Sequence, residues 1–77
     1  MTNTILLEKF IEESGLKKNF IAKELKLTPY GLQLKTIGKN KFYAEEISKM
    51  CELLGITDLD IKEEVFFATN VENNSTL

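Results

Sequence analysis

The sequence predicts an all-α domain of five short helices, and three observations lead to this fold class. Apolar residues recur at steps of three and four along most of the 77 residues, which is the spacing of one helix face. Each such stretch is short, and capping residues and glycines mark the boundaries. A chain of this length has room for one core, so we expect one domain over residues 1–68 and a flexible polar tail over residues 69–77.

The first two helices are predicted over residues 4–14 and 18–26. Apolar residues at positions 6, 7, 10 and 11 form the inner face of the first helix, with glutamates between them. Gly15 ends it, because glycine accepts the left-handed backbone that follows a last helical turn. In the second helix, Phe20, Ile21, Ala22 and Leu25 are expected on one inner side.

The third helix is predicted to begin at Pro29 and to run to Ile37. Thr28 precedes it and is a preferred N-cap residue, while proline at the first helical position loses no hydrogen bond. Gly38 stops the helix, and a basic loop follows it.

Two more helices complete the predicted domain. The fourth spans residues 43–54, with an inner stripe at Ala44, Ile47, Cys51 and Leu54. The fifth starts near Asp58, where acidic residues suit the positive end of the helix dipole, and continues into an apolar end at residues 65–67.

Charge is distributed unevenly along the chain. The whole sequence has a net charge of −2, but residues 15–43 carry seven lysines against Glu24 alone, a net +6. Because salt screens the distant acids, a local cluster of this kind favours a polyanionic partner. A solvated lysine face that only maintains solubility is the alternative.

The second and third predicted helices are separated by a very short turn. Ile21, Leu25, Leu27 and Leu32 are spaced to fill the seam between them, and Ala22 is small enough for a close crossing. This is the pattern of a helix-turn-helix unit, whose second helix enters a DNA major groove. An ordinary helical hairpin uses the same spacing, but the lysines in this segment favour DNA binding.

Residues 6–67 resemble the Cro/repressor-type helix-turn-helix family, in particular the small phage-type transcriptional regulators. The segments that carry the resemblance are SGL at 14–16, IAKEL at 21–25, LT at 27–28, GKNKF at 38–42, EI at 46–47, LLGI at 53–56 and VFF at 65–67. The resemblance implies a lambda-repressor-like DNA-binding domain with its helix-turn-helix at helices 2 and 3. It also implies a homodimer on a pseudo-palindromic operator of double-stranded DNA.

The chain departs from the family pattern at several positions. Lys17 stands where a capping serine or threonine is usual, Lys18 where glutamine is common, and Lys26 where the turn usually has glycine. Pro29 and Tyr30 begin the third helix without the glutamine or arginine pairs that read bases.

The candidate DNA-binding residues fall into two groups. Those expected at phosphates are lysines, a loop asparagine and the capping threonine, and those expected in the groove lie on the third helix. The full set is Lys17, Lys18, Thr28, Tyr30, Gln33, Leu34, Lys35, Lys39, Asn40 and Lys41. For Lys35, an aliphatic stem laid over the core is an equally weighted alternative to a phosphate contact.

Val65, Phe66 and Phe67 are candidates for a dimer contact. Two adjacent phenylalanines cannot both face one core from a single helix, so one is expected to be exposed. The alternative is that this segment folds back over the first and fourth helices and completes the core.

Several function classes have no support in the sequence. The chain has no histidine, no nucleophile motif and no glycine-rich phosphate loop, so we expect neither an enzyme nor a metal or other cofactor. Cys51 lies on an apolar stripe and is expected to be a core thiol. No secretory signal or membrane segment is recognisable, so a cytoplasmic location is expected.

Two functions remain open from the sequence. The preferred one is a sequence-specific transcriptional regulator of phage or prophage type, with residues 29–37 in the major groove. The alternative is a helix-turn-helix scaffold that binds a protein, as an antirepressor or antitoxin does. The apolar Pro29, Tyr30 and Leu34 motivate this second interpretation.

Overall fold

A computed structural model describes residues 2–67 of the protein. Within this range the chain forms five α-helices and no β-strand, which confirms the predicted all-α class. The tail predicted over residues 69–77 lies outside the described residues, as does position 68. The helices are α1 (Thr4–Ser14), α2 (Lys18–Glu24), α3 (Pro29–Thr36), α4 (Ala44–Leu54) and α5 (Leu59–Phe66).

Side-chain caps begin three of the five helices. The Asn3 side chain accepts a hydrogen bond from the amide of Leu6 at 3.1 Å, and Asp58 caps α5 in the same way. Thr28 Oγ1 accepts from the Gly31 amide at 2.9 Å, which confirms the predicted cap of α3. Lys17 occupies the N-cap position of α2 without a side-chain cap hydrogen bond, because a lysine side chain has no acceptor for a backbone amide.

The ends of α2 and α3 have the same hydrogen-bonding pattern but different residues in the left-handed position. After α3, Gly38 has φ +86°, and the Lys39 amide donates back to the Leu34 carbonyl at 2.9 Å. After α2, Lys26 takes φ +60°, and the following amide donates to the Ala22 carbonyl at 2.8 Å. Lys26 therefore adopts a left-handed backbone that glycine adopts at a lower conformational free energy. As a result, α2 ends at Glu24 and not at the predicted residue 26.

The core is formed by residues from all five helices. α3 packs against α1 and α2, α4 packs against the same two helices, and α5 packs against α1. Phe20 and Ala44 were predicted to face the core, but both are on the surface, with Phe20 44% exposed. The buried apolar residues are Leu7, Ile11, Ile21, Ala22, Leu25, Leu32, Phe42, Ile47, Met50, Cys51, Ile56, Val65 and Phe66.

The end of α5 corrects the predicted dimer contact. Val65 is fully buried and Phe66 is 4% exposed, so both belong to the core and neither is available to a second chain. Phe66 meets Phe42 edge to face, with ring centroids 5.4 Å apart. The Val65 carbonyl also accepts a hydrogen bond from the Asn3 amide at 2.7 Å. Of the three candidates only Phe67, at 51% exposed, lies on the surface.

Candidate nucleic-acid interface

One side of helix α3 is buried against the rest of the protein. Leu32, Lys35 and Thr36 point inward and are buried, and the Thr36 hydroxyl donates to the Gln33 carbonyl at 2.9 Å. This inward side anchors α3 against α1 and α2. The opposite side of the helix is therefore open to solvent.

Four residues form this outward side, which we call the α3 face. Tyr30 is 71% exposed, Gln33 is exposed, Leu34 is half-buried, and Ile37, the residue that ends the helix, is 42% exposed. Their positions differ by three, four and seven, so they share one stripe of the helix surface. Three of them were candidates from the sequence. Ile37 was missed, although its spacing from Gln33 and Leu34 places it on the same stripe.

Lys35, for which a phosphate contact and a stem laid over the core were equal alternatives, does not belong to the α3 face and is paired inside the protein. Its side chain is only 9% exposed, and Nζ lies 2.6 Å from Oε1 of Glu46, at the start of α4. The same ammonium group lies 4.3 Å from the centre of the Tyr43 ring. An ammonium held this way has its charge neutralised inside the protein, so it is not free for a phosphate.

The same Glu46 oxygen has a second role. It accepts a hydrogen bond from the Tyr43 amide at 2.9 Å, and this bond helps to start α4. Lys35, Tyr43 and Glu46 therefore form one unit, the Lys35 clasp, which joins the last turn of α3 to the first turn of α4. This unit was not predicted from the sequence. A glutamate three residues after the N-cap position was the available signal, since that spacing is typical of a capping box.

The other lysines of the basic segment remain on the surface. Five of them are exposed and take part in no ion pair among residues 2–67: Lys17, Lys23, Lys26, Lys39 and Lys41. Lys18 differs, because its Nζ lies 2.9 Å from Glu8 on α1 with both side chains partly exposed. A phosphate at Lys18 has to compete with that carboxylate.

The loop after α3 is tied to the helix through its backbone. The amides of Lys39 and Asn40 both donate to the Leu34 carbonyl, at 2.9 and 3.1 Å. Lys39 and Asn40 therefore stay next to the end of the α3 face. Lys26 lies in the turn before α3, so unpaired cations border the helix in sequence on both sides. Thr28 is exposed, and its hydroxyl still has a hydrogen to donate.

A groove of 510 Å³ lined by charges of both signs lies between the end of α2 and the start of α4. Its charged lining combines three glutamates with two lysines. One of these lysines, Lys49, is hydrogen-bonded to Glu52 and attracted by its charge, with a weaker attraction to Glu24. These interactions raise the pKa of the Lys49 ammonium group. The lining residues are Glu24, Leu25, Lys26, Tyr43, Glu45, Glu46 and Lys49.

Comparison with protein-family models, with curated proteins and with solved structures returned no match. None of the helices within residues 2–67 has the length and apolar character that crossing a bilayer requires. The features of the molecule that bear on its function are therefore the geometry of the α3 face and the charges around it.

Proposed function

We propose that the protein is a sequence-specific DNA-binding transcriptional regulator of the Cro/repressor type. In this proposal α2 and α3 act as a helix-turn-helix unit, and α3 enters the major groove of an operator. One observation carries the proposal: α3 exposes an uncharged face, and unpaired lysines stand in the turn before it and in the loop after it.

The dimensions support insertion into a groove. An α-helix with its side chains is about 10–12 Å in diameter. The major groove of B-DNA is about 12 Å wide and admits one α-helix. Cations at the two ends of such a helix are suited to the phosphates on either side of the groove, and those contacts fix the position of the protein without reading sequence.

A homodimer belongs to the same proposal. Two copies on a pseudo-palindromic operator place their half-sites about 10 base pairs apart, centre to centre. Because Val65 and Phe66 are buried in the core, the dimer contact on α5 is limited to exposed residues such as Phe67 and Leu59.

The salt dependence of DNA binding tests the phosphate contacts. Each phosphate contact contributes a slope of about −0.9 to log K against log salt concentration. Replacing both Lys39 and Lys41 by alanine should make the slope less steep by about 1.8 and leave the preferred site unchanged. The matched control replaces Lys9 and Lys62, which removes the same charge outside the basic segment and should leave the slope nearly as it was. Equal slopes for both double variants would contradict the proposed interface.

A second candidate function is a protein-binding module on the same scaffold, as in an antirepressor or antitoxin. The apolar character of the α3 face favours it, since Tyr30, Leu34 and Ile37 also suit a protein partner. DNA-site selection and a pulldown from host lysate separate the two functions. A stoichiometric protein partner together with no enriched DNA site would favour the second.

A further inference from the structure

The α3 face has a specific chemical composition. One side chain, Gln33, has both a hydrogen-bond donor and an acceptor at its tip. Leu34 and Ile37 present aliphatic groups next to it, and Tyr30 presents a ring with one hydroxyl group. No charged side chain belongs to this face, because Lys35 is turned inward onto Glu46.

This composition matches one type of base pair better than the other. Guanine is read most often by arginine or lysine, through O6 and N7. Adenine is read by an amide that accepts from N6 and donates to N7, and the C5-methyl group of thymine is read by apolar contact. The α3 face offers the amide and the apolar groups, whereas the one lysine of helix α3, Lys35, is turned away from this face and held by Glu46.

The charges nearby indicate why DNA is the expected occupant of the face. Lys26, Lys39 and Lys41 are exposed and have no acidic partner among the residues that the structure describes. An apolar stripe with cations beyond both ends complements a groove lined by base edges and bordered by phosphates.

We propose that the α3 face reads A·T base pairs, with Gln33 at an adenine and with Leu34 and Ile37 against thymine methyl groups. This inference rests on the DNA-binding function proposed above. Gln33 and Ile37 are one helical turn apart, about 6 Å along the axis. That distance corresponds to about two base-pair steps of 3.4 Å, so the two contacts fall within a run of about three base pairs.

The first experiment is selection from a random double-stranded DNA pool with the unmodified protein. We expect an enriched half-site that contains A·T pairs within a run of about three base pairs. Its thymines are then replaced one at a time by uracil, which lacks only the C5-methyl group. Each replacement at a contacted thymine should weaken binding by about fourfold, the loss expected for one buried methyl group.

Variants assign the contacts to residues. In Ile37→Ser, uracil replacement at the thymine contacted by this side chain should no longer change the affinity. Ile5→Ser is the matched control, because Ile5 is 85% exposed on α1, and this variant should keep the full uracil effect. Gln33→Ala should lose selectivity at the adenine by roughly 5- to 150-fold. Thermal unfolding followed by circular dichroism verifies that each variant is folded.

The outcomes separate the assignment of bases to the α3 face from the proposed DNA-binding function. An enriched site rich in G·C pairs, or an A·T site whose affinity does not respond to uracil, would overturn the base assignment and leave the DNA-binding function intact. No enrichment and no binding to the pool would overturn the proposed function, and the base assignment with it.

Discussion

The Lys35 clasp gives the sharpest stability prediction. Its two charged side chains lie 2.6 Å apart with exposures of 9% and 13%, so most of their hydration is lost. We consider Glu46→Gln, Lys35→Met and the double variant. The two single changes leave different groups behind in the protein.

The two single variants should differ in cost. Glu46→Gln leaves the Lys35 ammonium buried with only the Tyr43 ring and a neutral amide, which we expect to cost about 3 kcal/mol, the lower end for a broken buried pair. Lys35→Met leaves Glu46 with its hydrogen bond from the Tyr43 amide, so about 1–2 kcal/mol is expected. A loss of 3 kcal/mol is a large part of the total stability, which for 77 residues is about 4–12 kcal/mol.

The double variant tests the reasoning. With both charges gone, no ion remains unpaired, so it should be more stable than Glu46→Gln, with a coupling free energy of about 2 kcal/mol. Urea unfolding followed by circular dichroism measures all four proteins. The Glu8–Lys18 pair is the control because its ions lie at a similar distance, 2.9 Å, but are 36% and 47% exposed. Its coupling should stay below about 0.5 kcal/mol. Equal coupling in the two pairs would refute the argument from burial.

Four further measurements follow from the same structure. Thr28→Ala should lower the unfolding free energy by about 1 kcal/mol, because the Gly31 amide loses its cap. Lys26→Gly should relieve the strain of the left-handed backbone and raise the unfolding free energy by about 1 kcal/mol, and it should also weaken DNA binding. Lys23→Gly is the control, because a glycine inside α2 should lower the unfolding free energy by a similar amount. Lys35→Met should leave the salt slope of DNA binding unchanged in a gel-shift series, since this ammonium is not free for phosphate. Burial raises the pKa of the Cys51 thiol above its ordinary value of 9.0, so iodoacetamide at pH 8 should react more slowly with the native protein than with the urea-unfolded protein.

The pKa of Cys51 also predicts how stability depends on pH. A thiol whose pKa is higher in the folded state keeps its proton there at a pH where the unfolded chain loses it. Its contribution to stability is therefore complete below pH 9.0 and declines as the pH rises through the folded-state value. Cys51→Ala should remove this part of the decline, and an identical pH profile in the variant would contradict the assignment.

Local signals in the sequence were sufficient to locate the helices. Thr28 and Pro29 mark the start of α3 because their effects act within one turn of backbone, and Gly38 marks its end in the same way. The predicted α1 agrees with the observed helix at both ends. The one larger difference, at the end of α2, arises because Lys26 adopts a left-handed backbone that lysine rarely takes.

Residue spacing, capping residues and composition were enough to predict the all-α class, the order of the five helices and the position of the basic segment. Which side chains are exposed to a binding partner could be learned only from the tertiary packing. It paired Lys35 with a glutamate eleven positions away, buried Phe66 while leaving Phe67 exposed, and added Ile37 to the α3 face. The physical reason is that burial and ion pairing depend on what the neighbouring helix presents. The local sequence pattern fixes a side chain's direction on its own helix but carries no information about the group it meets there.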